Sequence, residues 1–538
     1  MPRVAHSFDD LIWEKSEDDW DKARLEFRRG KNVDGFATLI RTILQRNGKM
    51  HRTCGGGSFN ATYRMLLDNE ERREEVILRI PWPGIEFPSE KVPIEAATLC
   101  FISQNTSIPV PQLYYCGAAN ENPTGFGPFL IESYIKHDLS LSRALTTAEC
   151  LEKDTMYILD PDVLTEDLIR AYKQLASYLL QLSKLEFPRI GSLMPIGDSQ
   201  NQSIIHRPIS TNMNNLVQLS NIPIALLPPE DTTYETSDEW YTALADMHML
   251  QLVFQRNDII DSPDDCRNKY VARVLFRRLA KQKKLSTFGF ADDTWSSQAL
   301  SSPAVLSTTK ESLKSEEILQ APKRNGSFRL WCDDLRFGNV LVDKALRVKG
   351  VIDWEYTYAA PAQFVLDPPW WLIMQQPERH EKGIDEWIRE YEPRLHTWLQ
   401  CMEEVEVEEK EISRTFQQLE GITFKDGDIG SKKLETANLS SYMRQSWNKG
   451  RFWLNYAARN SWVFDYIYWR FLDERFFGDY KTNDDINNLW ETRVDLLTHK
   501  ERLAMELLVE RKMEEKRLKN ILDWAPEEAK QYLAQFLF

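Results

Sequence analysis

Three separated stretches of this chain hold side chains suited to work on a phosphate. The first is Asp334-Leu-Arg-Phe-Gly-Asn339, which runs directly into a β-branched stretch. An Asp five residues before an Asn suits phosphoryl transfer. The Asp accepts a hydroxyl proton, and the Asn holds Mg²⁺ against the phosphates. Arg336, between them, is a fixed cation able to meet charge on the moving phosphoryl group. The bland alternative is an Asp-Asp turn with Asn339 as a polar cap. The second stretch is Ile352-Asp-Trp-Glu355. Asp353 would end a strand, where a carboxylate can take a hard cation together with phosphate oxygens; a strand cap or an ion pair is its structural alternative. The third is Gly55-Gly-Gly-Ser-Phe-Asn60. Gly56, Gly57 and Ser58 would let backbone amides approach a phosphate closely. A plain β-turn explains the same residues, and no Gly-Lys-Ser/Thr follows to make a P-loop.

These residues need elements to position them. Residues 8–48 read as helical, with Val33, Phe36, Ala37, Ile40, Ile43 and Leu44 at helix spacing. Residues 51–136 read as β-β-β-α-β-β. The strands are the Gly-rich entry, Ala61–Leu67, Val76–Ile80, Leu113–Cys116 and Phe129–Ile135, and the helix is Ile94–Ser103. Thr165 is a reasonable N-cap for a helix carrying Leu168, Tyr172, Leu175, Leu179 and Leu182 on one face. Residues 195–235 and 285–325 are rich in small polar residues and Pro, and are expected to be a long loop and a surface insertion. Helices are expected over Trp240–Gln255 and Cys266–Lys284, and from Trp370 nearly to Phe538. Short strands are expected at Arg329–Trp331, Val340–Val342 and Lys349–Ile352. The six acids between Glu403 and Glu411 read as a solvated helix face, and the aromatic run Trp462–Trp469 as core.

The order of the parts says more than any one of them. A Gly-rich hairpin is followed by a cation on the next strand (Arg79) and an acid on the helix (Glu95). Then come an apolar strand ending Ile-Glu-Ser-Tyr134, the Asp–Asn loop and the final Asp. That is the order found in kinase-type enzymes.

Composition narrows the partners. The chain has 538 residues, 42% hydrophobic and 28% charged, with 67 Lys+Arg against 82 Asp+Glu and a formal charge of -15. This is globular usage, and the acidity argues against a general nucleic-acid surface. Lys281-Gln-Lys-Lys284 is too short to change that. Seven cysteines (54, 100, 116, 150, 266, 332, 401) show no zinc spacing, and the eight His are scattered. Free thiols in a reducing compartment are the economical reading. No run approaches the ~20 apolar residues of a membrane span, and Met1–Asp10 has no signal-peptide pattern. A soluble, cytoplasmic protein with no membrane or evident protein partner is expected.

The motifs resemble those of the aminoglycoside phosphotransferase and choline kinase-like family, most closely its large fungal branch. The family's loop is close to His-Gly-Asp-Leu-His-Pro-Gly-Asn-Val-Leu, against Cys332-Asp-Asp-Leu-Arg-Phe-Gly-Asn-Val-Leu341 here. The family's Ile-Asp-Trp-Glu matches residues 352–355, and Phe187–Leu193 and Leu366–Trp371 look like the fungal branch. The likeness covers roughly residues 50–380.

The resemblance implies Asp334 as the acceptor-side catalytic residue and Asn339 and Asp353 as Mg²⁺ ligands. Arg79 then takes the place of the nucleotide-phosphate Lys and Glu95 that of its helix partner. Glu132 and Tyr134 fall on a hinge strand whose backbone groups would meet adenine. Arg336 occupies the place of the loop's second His, and Cys332 that of the first, where nothing adjacent would activate a thiol.

An α+β, bilobal, protein-kinase-like fold follows from the resemblance. It comprises a helical extension (1–50), a small antiparallel-sheet lobe (51–136), a large helical lobe (137–400) and its C-terminal helical part (401–538). The implied activity is ATP- or GTP-dependent, Mg²⁺-assisted phosphorylation of a small hydroxylated acceptor, a cationic one fitting the family and the net charge. The alternative is a kinase-like nucleotide-binding scaffold of weak or no turnover. A protein kinase fits less well: there is no His-Arg-Asp, and no Ala-Pro-Glu follows Asp353.

Overall fold

The computed structural model describes residues 8–54, 57, 59–68, 74–153, 157–195, 202–300, 317–419, 437–479 and 488–538. Two helices open it, α1 (Asp10–Phe27) and α2 (Gly30–Leu44). Five antiparallel strands follow: β1 (Gly48–Cys54), β2 (Asn60–Leu67), β3 (Glu74–Pro81), β4 (Leu113–Gly117) and β5 (Phe129–Ser133). They lie in the order β1-β2-β3-β5-β4, with helix α3 (Pro88–Asn105) between β3 and β4 in the chain.

The period of two sorts the side chains of β3 between the faces of this sheet. Val76, Leu78 and Ile80 share a buried cluster with Phe27, Phe36, Leu39 and Ile40, so α1 and α2 cover that face. Arg79 points the other way, toward α3, and stands opposite Leu130 in register. Leu130 packs with Val92 and Ala96 of α3.

Helix α1 reaches well beyond the sheet. At ~1.5 Å per residue its 18 residues span roughly 27 Å. Its cap, Asp9, is buried and accepts from the backbone N–H and side-chain amide of Asn257 at 2.9–3.0 Å. At the other end Phe27 packs on Trp82 and Phe126, and the Tyr63 hydroxyl donates to Phe27 O.

The remainder is mostly helical. The longest helices are Thr165–Leu182, Ser237–Phe254, Pro263–Lys281, Ile384–Leu419 and His499–Leu518. Strand Phe328–Cys332 lies between Glu186–Phe187 and Thr357–Ala360, and Val340–Val342 between Leu139–Ser140 and Val348–Val351. Cys100, Cys116, Cys150, Cys266, Cys332 and Cys401 are free thiols. Among the described residues no helix is long and apolar enough to cross a membrane.

Several expectations need correction. Residues 195–235 are not a long loop. Ser192–Pro195 pairs with Gln202–His206, and Thr211–Ser220 is a helix capped by Ser210. Its polar composition hides buried Ile209, Met213, Leu216, Ile222 and Leu227. The start of the second stretch is also inside: Leu285, Phe288 and Phe290 are buried, while residues 301–316 lie outside the described residues. Thr165 is the first helical residue and not the cap. Helix α3 begins at Pro88, ahead of its apolar run, because Pro is accepted at a helix's first position. Glu406 leaves the solvated acidic face: it is buried and accepts from Ser440 N and Oγ, capping the helix Leu439–Lys449.

Candidate active site

Five separated segments bring charged groups together where the sheet meets the helical part. Arg79 on β3 is buried and forks. Its Nη1 donates to Glu95 on α3, and its Nη2 to Asp353 Oδ1 at 2.7 Å. Glu132 on β5 and Glu355 face the same guanidinium. Burial alone would lower the Arg79 pKa, but these four carboxylates together hold it well above its ordinary value. The reverse acts on the acids. Burial, reinforced by the neighbouring carboxylates, pushes Glu95 and Glu132 up, Arg79 offsetting only part of it.

A second buried cation, Lys91, stands one turn before Glu95 on the same face of α3. Its Nζ lies 2.9 Å from Glu355 Oε2 and donates to the Tyr356 hydroxyl at 3.0 Å. The Phe59 and Tyr356 rings flank it. Asn60 Nδ2 also donates to Glu355 Oε2, at 3.1 Å. Glu355 Oε1 and Glu132 Oε2 are buried with no hydrogen-bond partner among the described residues.

The Asp334–Asn339 loop follows strand Phe328–Cys332. Asn339 is buried, and its Nδ2 donates to Asp334 O (2.8 Å) and Asp334 Oδ2 (3.0 Å). Arg336 Nε donates to Asp334 Oδ1 at 2.8 Å. Burial raises the Asp334 pKa, Arg336 pulls it down and Asp353 adds to the rise. The Arg336 side chain is 45% exposed, and its two terminal amino groups have no partner among the described residues. It pairs with neither Asp333 nor Glu355. Asn339 O accepts from Ile352 N at 2.9 Å, which ties the loop to the segment that follows strand Val348–Val351 and carries Asp353. Asp353 has φ 68°, a left-handed conformation that Asp tolerates better than most residues.

The donor set can be tested against Mg²⁺. Asn339 gives both of its hydrogen bonds through Nδ2, leaving the amide oxygen unengaged. Asp353 accepts only at Oδ1, so its other oxygen is open. Among the described residues no group of three or more His, Cys, Asp or Glu could hold an ion unaided. One carboxylate and one amide oxygen, completed by phosphate oxygens, fit Mg²⁺. The surrounding charge agrees. Glu95, Glu132, Asp334, Asp353 and Glu355 outnumber Arg79, Lys91 and Arg336, leaving a formal excess of two negative charges.

Not every expected residue joins the cluster. Gly56 and Ser58 lie outside the described residues. Gly57 is exposed and its carbonyl accepts from Trp82 Nε1 at 2.9 Å. The Tyr134 N–H donates to Glu75 O at 2.9 Å, and its ring lies under the Arg64 guanidinium. Glu132 sits mid-sheet, in register with Ile77 and Leu113, and contributes its carboxylate to the Arg79 cluster. The chain therefore crosses to the helical part beyond these two residues, at Ile135–His137. Cys332 is buried, and burial pushes its thiol far up, which keeps it inert.

Sequence reasoning missed Lys91 and the role of Glu355. It also missed Glu90, which accepts from Arg207 Nε (2.9 Å) and Nη2 (2.6 Å). The one available signal was the i, i+4 spacing of Lys91 and Glu95.

No protein-family profile matches the chain, and no curated protein matches its sequence. Solved structures do align with it. A macrolide 2'-phosphotransferase type I aligns at 12% identity and TM-score 0.35, over 82% of this chain and 96% of its own. A putative fructosamine-3-kinase from Haemophilus somnus 129PT aligns at 11% and 0.32, over 77% and 96%. A Plasmodium vivax ethanolamine kinase aligns at 11% and 0.29, over 78% and 88%.

Proposed function

We propose that this protein transfers the γ-phosphoryl group of a nucleoside triphosphate, ATP or GTP, to the hydroxyl of a small molecule. One observation carries the reading. Arg79, Glu95, Asp334, Asn339 and Asp353, named from their order in the chain, converge on one cluster.

Asp334 is the acceptor-side group. As the acceptor oxygen bonds to the γ-phosphorus and the bond to the leaving nucleoside diphosphate breaks, Asp334 takes the hydroxyl proton. Its burial and raised pKa favour that uptake. Asn339 holds Asp334 in place from Nδ2, and its unengaged oxygen would join Asp353 in holding the metal. Bound there, Mg²⁺ would hold phosphate oxygens and offset their charge. The free amino groups of Arg336 would meet the equatorial oxygens of the moving group. Arg79 exchanges its Asp353 bond for phosphate oxygens while keeping Glu95.

One observation favours the scaffold alternative: the Arg79–Asp353 bond ties up an oxygen of the proposed metal ligand. Two measurements decide. ATP is titrated with and without Mg²⁺ into the wild type and Asp353→Ala. Labelled ATP is then incubated with a library of hydroxylated metabolites, with Asp334→Asn as the blank. The expected result is strong Mg²⁺ dependence that Asp353→Ala removes, and a labelled product absent with Asp334→Asn. Equal ATP affinity with and without Mg²⁺ in the wild type would overturn the site. Mg²⁺-dependent binding without any labelled product would establish the scaffold.

A further inference from the structure

A cavity lies against the turn that carries Asp334. Asp333 and Leu335, the residues on either side of it, both line the cavity. Its empty space is about 590 Å³ with the solvent at its mouth counted. The walls are mainly apolar and aromatic, with Trp331, Trp370, Trp371 and Phe452 prominent.

Three charged side chains reach this cavity: Asp333, Asp367 and Arg459. Their hydrogen bonds set them apart. Asp333 Oδ1 accepts from Trp331 Nε1 at 2.7 Å, and Oδ2 from Thr211 N at 3.2 Å and Thr211 Oγ1 at 3.4 Å. Asp367 Oδ1 accepts from Ser446 Oγ at 2.5 Å, and Oδ2 from Asn455 Nδ2 at 2.9 Å. Both carboxylates are thus engaged at both oxygens.

Arg459 is the opposite case. It is only 9% exposed, and its guanidinium packs on the rings of Trp331 (4.2 Å) and Phe364 (4.8 Å). Nε donates to Asn455 O at 3.0 Å. The terminal amino groups donate to nothing among the described residues, and no carboxylate there lies within ion-pair distance. These vacant donors take their acceptors from solvent or from a ligand, because leaving them unmade is costly. Its two terminal amino groups are the vacant donors, a pair able to hold a carboxylate in bidentate fashion.

We propose that this cavity binds a small organic acid, an apolar or aromatic body carrying a carboxylate that the free edge of Arg459 holds. Read together with the phosphotransferase proposal, on which this last step rests, that acid is the acceptor. The preference departs from the cationic acceptor expected from sequence. The carboxylates that would have favoured a cation are already hydrogen-bonded within the protein at both oxygens, whereas the terminal amino groups of the one cation are not.

The test uses three ligands of the same ring and near-equal length: 4-hydroxyphenylacetate, its neutral alcohol analogue tyrosol, and the amine tyramine. Each is titrated calorimetrically into the full chain without nucleotide. The acid should bind tightest. Arg459→Gln should weaken it by roughly 10–100-fold, the worth of one charge-assisted contact, and leave tyrosol nearly unchanged. Arg459→Lys should restore part. Should Arg459→Gln fail to fold, Asp333→Asn carries the test, since removing that charge should tighten the acid and weaken tyramine. Tyramine binding tightest, indifference of the acid to both variants, or binding of none of the three would overturn the proposal. A separate Mg²⁺–ATP titration on the same protein keeps the two readings apart. Arg459-dependent acid binding without nucleotide binding sinks the kinase reading alone. Phosphorylation confined to amines sinks this inference alone.

Discussion

Replacing Arg79 by Met keeps the length of the stem and removes the charge. Glu95, Glu132 and Asp353 then face one another across a buried site with no guanidinium among them. Breaking a buried pair by removing one partner costs about 3–5 kcal/mol. Two pairs break here, but Asp353 keeps some solvent (its side chain is 23% exposed), so that range is retained and not doubled. Native-state hydrogen exchange of the Val76–Ile80 amides reads the loss locally. At 1.4 kcal/mol per decade, exchange should quicken roughly 10²–10⁴-fold near pH 7.5. The pH dependence has a definite sign. The carboxyl of Glu95 is already raised to about 8, and that of Glu132 is raised too, both chiefly by burial. Losing the guanidinium raises them further. A folded-state carboxyl above its unfolded pKa gives stability that is full below the unfolded value and lost as pH rises toward the folded one. The penalty should therefore shrink at pH 5, and Arg79→Met with Glu95→Gln should recover much of it at pH 7.5. Mg²⁺ together with nucleotide should also slow exchange in Arg79→Met, because Asp353 is then released to the metal that the phosphate oxygens help to hold. A change under about 1 kcal/mol, or one indifferent to pH, Glu95→Gln and Mg²⁺ alike, would refute the charge balance argued for this site.

Arg336→Ala should lower turnover by roughly 10²–10³, the loss on removing one oxyanion-type donor, while stability moves by no more than about 1 kcal/mol for a half-exposed pair. Arg336→Lys should recover part; lost stability with unchanged turnover per folded molecule would make Arg336 a brace only. His248 is fully buried, its Nδ1 paired with Ser461 Oγ at 2.7 Å, and burial, aided by Arg273, depresses its pKa far below the ordinary value. Stability from its neutral form is full above about pH 6.5 and falls by up to about 1.4 kcal/mol per pH unit below it; His248→Asn should flatten that slope in urea titrations at pH 7 and pH 5.5. Deleting residues 1–28 uncovers Trp82 and Phe126, and dye binding to exposed apolar surface should rise with loss of protection in β2 and β3. An unchanged exchange pattern would show that α1 merely lies on the sheet.

The alternation of Val76, Leu78 and Ile80 and the turns around them made the sheet and its helix legible, because those signals act within a few residues. The Asp334–Asn339 loop was legible for the same reason: Asp334, Arg336 and Asn339 meet through one turn. What escaped depends on distant partners. Lys91 is an unremarkable surface residue until Glu355 and Tyr356 close over it from the far part of the chain. Ser210 and Asn212 read as loop residues by composition, yet one caps a helix and the other accepts from Ser461 N at 3.0 Å. For Tyr134, strand β5 was expected to extend through Ile135 with its backbone open to a base. The sheet instead takes the Tyr134 N–H for itself.

Helix α3 is the part on which these arguments converge. Three of its acidic and basic residues, on one stretch of a single turn and a half, each hold a different segment. Glu90 grips Arg207 beyond the hairpin Ser192–His206, Lys91 grips the Glu355–Tyr356 segment, and Glu95 grips Arg79 on the sheet. A helix is stiff over such a length, so none of the three contacts can shift far without the others. The position of Arg79 relative to Asp353 is therefore set by the hairpin as well as by the sheet. On the opposite face α1 joins the sheet's core to Asn257 in the helical part. The sheet is thus held from both sides, through salt bridges on the α3 face and an apolar contact with a capped helix on the other. Exchange of the Arg79–Asp353 bond for phosphate oxygens requires only the guanidinium and the carboxylate to move, with α3, α1 and the sheet staying where they are.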